Sequence, residues 1–200
     1  MTATYQEAVE KTVETMSPIE NPHDLMRFLE KLPELDHLKI ELIDGKIVMQ
    51  ASAAPLHNLI VSELSAQFRA QGWVALGEQA LFTPSSSFEP KPDLSVTTLD
   101  AVADNANPFP CQRVPLVVEV VSGDKDVDHV KKRFWYGTVS IPLYLLVDPH
   151  DGICALHSHP RDHGYRTVST TEFGEPIELT EPFSFALDTR SFKLYPPKCP

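Results

Sequence analysis

Leu116-Val117-Val118-Glu119-Val120-Val121 is the stretch on which the fold turns. An apolar, β-branched run of this length reads as a strand covered on both faces. Downstream, Val127 to Val139 reads as a helix and Leu143-Tyr144-Leu145-Leu146-Val147 as a second buried strand, closed by Asp148-Pro149. A strand–helix–strand unit of this kind belongs to a mixed sheet with helices against it, an α/β or α+β domain. Upstream, Asn21-Pro22 has the form of a helix start, and Leu25, Phe28, Leu29 and Leu32 recur at helical spacing before Pro33. Leu38 to Ile43 and Lys46 to Met49 read as strands about a tight Asp44-Gly45 turn. Pro55 to Gly72 is the clearest helix, with Leu56, Leu59, Ile60, Leu64 and Phe68 as its apolar stripe. Trp73 to Phe82 and Leu94 to Leu99 are strand-like, Asp100 to Arg113 is a loop, and Ile153 to His157 and Tyr165 to Ser169 are short strands.

The chain of 200 residues suits one domain, here 21–192, with an N-terminal arm over 1–20 and a Pro-rich tail over 193–200. Hydrophobic residues at 42% exclude a wholly disordered chain, and eighteen prolines imply many loops and few long helices. No apolar run reaches the length of a membrane span, and the N-terminus lacks a signal-type apolar stretch, so a soluble, cytoplasmic protein is expected. Cys111, Cys154 and Cys199 are odd in number and far apart, which fits reduced thiols rather than a disulfide framework. A net charge of −11 excludes binding to nucleic acid by phosphate contacts alone. Any contact with DNA is then through a local basic patch or a bound cation, or is only transient.

Glu119 is the most informative residue. It sits among valines, where an ionised carboxylate without a partner costs several kcal/mol or is forced to protonate. A metal, a hydrogen-bond network or a structural ion pair would each justify it. Asp93, in Lys91-Pro92-Asp93-Leu94, stands where proline fixes a strand entry, though such an aspartate is also an ordinary turn residue. On the helix after Glu119, Asp128, Lys132 and Tyr136 follow at four-residue steps and share one side. Periodicity does not favour Lys132 over Lys131, which lies nearer the Val127/Val130/Phe134 stripe.

In order along the chain stand Glu41-Leu42-Ile43-Asp44-Gly45, Pro55-Leu56-His57, Pro92-Asp93, Val118-Glu119-Val120-Val121-Ser122, Asp128…Lys132…Tyr136 and Ile141-Pro142-Leu143-Tyr144-Leu145-Leu146-Val147-Asp148-Pro149. This series, from about Asp24 to Ser158, resembles the Uma2 family of restriction endonucleases, a branch of the PD-(D/E)XK nuclease superfamily. The resemblance implies a restriction-endonuclease-like core, a mixed β-sheet flanked by helices. It implies a metal-dependent endonuclease acting on DNA phosphodiester bonds, with Asp93 and Glu119 as metal-binding carboxylates, the Val120 carbonyl as a third ligand, and Mg²⁺ as the ion, with Mn²⁺ able to substitute. The superfamily's usual lysine stands two residues after the glutamate, where this chain has Val121; in the Uma2 branch it has moved to the next helix, which selects Lys132. Glu41 and His57 match family positions close to the site, with Asp128 and Tyr136 as further accessory candidates. Ser122-Gly123-Asp124 replaces the family's Ser-Pro-Ser/Thr. A homodimer is a further expectation, since cutting both strands of a duplex calls for two sites.

Competing patterns are weaker. Asp124, Asp126 and Asp128 alternate like a calcium loop, but His129 stands where glycine is needed and Trp135 where the last glutamate belongs. His150, Cys154, His157, His159 and His163 match no zinc-finger spacing and default to loop histidines. Ser122 lacks a nucleophile elbow. The remaining alternative is a non-catalytic nucleic-acid or protein-binding module that keeps the nuclease fold.

Overall fold

The computed structural model describes residues 21–84, 86–122 and 127–197, with side chains of 127–129 excepted. The arm expected over 1–20 lies outside the described residues.

Asn21 caps the first helix, α1 (Pro22–Leu29), its side chain accepting the His23 N–H at 3.0 Å, with Pro22 at the first helical position. The buried residue of α1 is Met26; Leu25, assigned to the apolar stripe, is exposed, because the face that meets the next hairpin carries Met26 and Leu29. That hairpin pairs β1 (Lys39–Ile43) with β2 (Lys46–Gln50) around Asp44 and Gly45, whose φ values of 54° and 71° are those of a type I′ turn. Alternation along β1 sends Ile40 and Leu42 into the small core around Met26, and Lys39 and Glu41 to the other face.

Helix α2 (Pro55–Ala70) ends at Gly72, which adopts φ +84° and donates to the Arg69 carbonyl. Its buried stripe is His57, Ile60, Leu64 and Phe68. Leu59 is exposed, so a histidine takes the place expected of a leucine. The expected strand over Trp73 to Phe82 is two, β3 (Val74–Gly77) and β4 (Leu81–Phe82), divided at Glu78, where φ is 50°. After β5 (Leu94–Thr97), the loop to Arg113 holds only short 3-10 turns and the two-residue β6 (Phe109–Pro110).

The apolar run around Glu119 forms β7 (Leu116–Val120), with every residue buried. The expected helix over Val127 to Val139 is instead a π-helical turn, Val127–Lys132, leading into a short α3 (Arg133–Thr138). Val130 and Phe134 are exposed while Lys132, Trp135 and Tyr136 are buried, so the buried face is the one bearing the lysine and the tyrosine. Beyond it lie β8 (Leu143–Asp148), β9 (Ile153–Arg161) and β10 (Gly164–Glu172), the last two longer than their apolar content suggested. The short β11 (Ile177–Glu178) and β12 (Ala186–Leu187) pair with each other.

The main sheet has six strands in the order β10-β9-β8-β7-β5-β3, antiparallel except for the β7–β8 pair. This is the mixed α+β architecture expected. One face of the sheet packs Leu94, Val118, Leu145 and Val147 against Ile60, Leu64 and Phe68 of α2. The opposite face packs Val117, Tyr144 and Leu146 against Trp135 and Tyr136. Glu119, one step from Val118 and two from Val117, points to the Tyr136 side.

Beyond Phe192, the Tyr195 N–H donates to the Pro149 carbonyl at 2.9 Å. No helix among the described residues is long and apolar enough to cross a membrane.

Candidate active site

The β5–β7 register pairs Leu94 with Val118, so Asp93 enters the sheet one step beyond, beside Glu119. Asp93 Oδ2 accepts the Val120 N–H at 2.8 Å, which ties the carboxylate to the strand carrying Glu119. Pro92 sets this entry by restricting the backbone ahead of the strand. Lys39 Nζ lies 3.0 Å from Asp93 Oδ1, and His57 Nε2 lies 3.4 Å from Asp93 Oδ2. Burial by itself would push the Asp93 carboxyl up; contact with His57, the Lys39 ammonium and the Val120 N–H outweigh it and hold the group well below the usual carboxylate range. Lys39 shows the converse. Burial disfavours its charge, yet Asp93 and Glu41 keep it above its ordinary value.

Glu119 is 2% exposed and accepts a 2.6 Å hydrogen bond from the Tyr136 hydroxyl on Oε1. Lys132, 1% exposed, reaches the same oxygen at 3.0 Å and Glu41 Oε1 at 3.1 Å. Glu41 is also fully buried and accepts the Lys91 N–H at 2.7 Å. Burial, followed by the neighbouring carboxylate of Glu119, drives the Tyr136 hydroxyl well above its ordinary range, so it stays a proton donor.

These groups meet in a pocket of about 490 Å³ lined by Lys39, His57, Asp93, Glu119, Val120 and Lys132, among others. Of the residues singled out from sequence, the structure thus brings together Asp93, Glu119, Val120, Lys132, Glu41, His57 and Tyr136. Asp128 lies outside the described side chains. Lys39 was missed. Its signal was present, since it shares the face of Glu41 on a strand whose alternate residues are apolar. The choice that helical periodicity left open falls on Lys132, because a π turn departs from the 3.6-residue spacing on which such counting rests.

Glu41, Asp93 and Glu119 bring three carboxylates together with the ammonium groups of Lys39 and Lys132 and the ring of His57. Oxygen donors of this kind suit a hard divalent cation. The donors fit one: both carboxylates are anchored, all offered atoms are oxygen, and the pocket has room for water. Among the described residues no group of three or more Asp, Glu, His or Cys side chains is placed to hold a metal ion; an ion held by two carboxylates and one carbonyl would keep most of its own waters. The histidine-rich segment offers no such cluster either. Cys154 packs in the α2-side core, whereas His157 stacks on Tyr144 across the sheet, with ring centroids 5.4 Å apart.

A larger hollow of about 820 Å³ lies on the α1 side of Leu42. Its buried carboxylate, Glu89, is already engaged by His23 at 2.8 Å and by Arg27. The smaller pocket is the one with reactive groups facing inward.

A family model, Uma2, described as "Putative restriction endonuclease", matches residues 26–190. No curated protein matches the chain. Among solved structures, the crystal structure of a putative nuclease belonging to DUF820 from Anabaena variabilis is similar, with a TM-score of 0.64 and 17% identity. The match covers 81% of this chain and 93% of that one, and at this identity it speaks to the fold.

Proposed function

Because the chain belongs to the Uma2 restriction endonuclease family, we propose that it is a divalent-metal-dependent nuclease hydrolysing DNA phosphodiester bonds at the pocket of Asp93, Glu119 and Lys132. The observation that carries the reading is convergence. Two anchored carboxylates and a buried lysine come from β7, the entry to β5 and the π turn, and face one solvent-reaching hollow.

Asp93, Glu119 and the Val120 carbonyl would hold Mg²⁺, which when bound supplies Lewis acidity toward a phosphoryl oxygen and a water of lowered pKa. The protein's own residues do the positioning. Tyr136 and Lys132 both engage Glu119 Oε1, which fixes the rotamer of the carboxylate. Glu41 holds Lys132 from the other side, so that its ammonium is pre-aligned toward charge developing on a phosphate. Lys39 and His57 brace Asp93 in its ionised form.

Purified protein with Mg²⁺ or Mn²⁺ is expected to nick plasmid or cut single-stranded DNA. Glu119→Gln, Asp93→Asn and Lys132→Met should each lower the rate by about 100-fold or more, the scale of losing one preorganised electrostatic group. Mn²⁺ should raise the thermal midpoint of the wild type and not that of Glu119→Gln. If Mn²⁺ leaves the midpoint unmoved and no hydrolysis is seen while DNA is still bound, the protein is a binding module on a nuclease fold.

A further inference from the structure

The last strand of the main sheet, β10, has β9 on one side and no strand on the other among the described residues. Helix α3 packs on its start at Gly164, but from Arg166 to Glu172 no described strand covers its outer backbone groups. Arg166 through Thr170 are all exposed, with Val168 at 56%, so this strand lies beyond the cover that helices give the sheet centre. A nine-residue edge rich in threonine is a template for another strand unless something blocks it. Its interior, Thr167-Val168-Ser169-Thr170-Thr171, holds no proline, lysine or other charge.

The charges sit at the flanks, and their placement is specific. Arg166 and Glu172 lie three residues to either side of Ser169. Antiparallel pairing of β10 with a second copy of itself, centred on Ser169, sets Arg166 of each chain opposite Glu172 of the other. It also sets Thr167 opposite Thr171 and Val168 opposite Thr170. Residues of equal parity share a sheet face, so both ion pairs and the Val168–Thr170 pairs fall on one face. The threonine pairs and the self-paired Ser169 fall on the other. A shift of the centre by one residue loses both charge pairs, which gives the edge a single electrostatic register.

We infer that β10 is a self-complementary docking edge and that its partner is a second copy of this chain, joined about a two-fold axis through Ser169 into a continuous twelve-stranded sheet. Such an interface is isologous, each residue meeting its counterpart twice. It is independent of the chemistry at Asp93 and Glu119, since β10 is at the far side of β8 and β9 from β7.

The test uses the full chain, with light scattering after gel filtration across micromolar to submillimolar concentrations. Wild type should run at twice 22.3 kDa. Arg166→Glu and Glu172→Arg should each weaken dimerisation at least tenfold, and the two together should restore it, since opposite charges again face one another. In a Cys199→Ser background, Ser169→Cys should oxidise to a covalent dimer, because directly opposed strand residues meet at disulfide distance. Val168→Cys should not, as its copies stand diagonally about 7–8 Å apart. A wild type that is monomeric throughout, a dimer indifferent to both single reversals, or equal cross-linking of the two cysteine variants would each overturn the proposal. Circular dichroism confirms folding of each variant, and Arg166, Val168, Ser169 and Glu172 are all exposed.

Discussion

Lys39 ends 3.0 Å from Asp93 Oδ1 with only 10% of its side chain exposed, so it is the resident cation of that carboxylate. Removing one partner of a buried pair leaves the other charge uncompensated, a loss on the order of 3 kcal/mol. Lys39→Met should therefore lower stability in chelator by roughly that amount, read by urea denaturation. Mn²⁺, able to neutralise the same carboxylate, should recover more stability in Lys39→Met than it adds to the wild type. Equal shifts in the two proteins would mean that the ion and Asp93 do not meet. Cys154 gives a pH-dependent counterpart on the far face of the sheet. Burial pushes its thiol up to about 12, so below that pH the reactive thiolate is the minor form. Native protein alkylated at pH 8 should yield an unmodified Cys154 peptide by mass spectrometry, with labelling rising about tenfold per pH unit. Labelling at the rate of a free thiol would contradict the buried environment. Glu119 was legible in sequence because an acid among valines demands a partner, and Tyr136 and Lys132 are partners it has. Lys39 was legible only as a polar residue on the face of Glu41; its partner, an aspartate fifty-four positions away, is a tertiary contact that the strand's own letters do not contain.

Helix α3 and the start of β10 approach so closely that only glycine fits between them. A Cβ on Gly137 would lie 2.1 Å from the Gly164 carbonyl oxygen and 2.4 Å from its carbon, both backbone atoms that have no rotamer to yield. Gly164 itself adopts φ +110°, a conformation open to glycine. Gly137→Ala should force the helix off the sheet, costing at least about 2 kcal/mol in unfolding free energy. Tyr136 is the adjacent residue and its hydroxyl fixes Glu119, so Gly137→Ala should also lower nuclease activity in the protein that remains folded. Full activity with unchanged stability would show that the contact relaxes freely. At this scale the buried strands were readable, since β7 and β8 are apolar runs that need no alternation. The hairpin was readable from Asp44-Gly45. The π turn was not, because its register follows from Lys132 and Tyr136 reaching Glu119 and Glu41, contacts that local periodicity does not contain. β10 was under-read for a related reason: exposed on both faces, it lacks the hydrophobic alternation by which a half-buried strand is recognised.

Charge decides how the whole molecule meets a polyanion. At −11, a phosphate backbone approaching the surface is repelled unless something local reverses the field. The lysines lining the pocket, Lys39 and Lys132, are nearly buried and already engaged by carboxylates, so they supply little free positive potential. On the proposed reading, a divalent ion held by Asp93 and Glu119 would supply the positive charge that draws a phosphate in. DNA binding should then be linked to the metal and only weakly to monovalent salt. The measurement is fluorescence anisotropy of a labelled oligonucleotide with Lys132→Met protein, which is expected to bind without cutting. Affinity should rise on going from EDTA to millimolar Mg²⁺. Each neutralised phosphate contributes a slope of about −0.9 in log K against log salt, so the slope should be no steeper than about −2. Tight binding in EDTA with a slope of about −5 or steeper would point to several surface lysines or arginines acting together. The DNA contact would then lie on a basic face away from Asp93 and Glu119, and the acidic pocket would not be where the duplex is held.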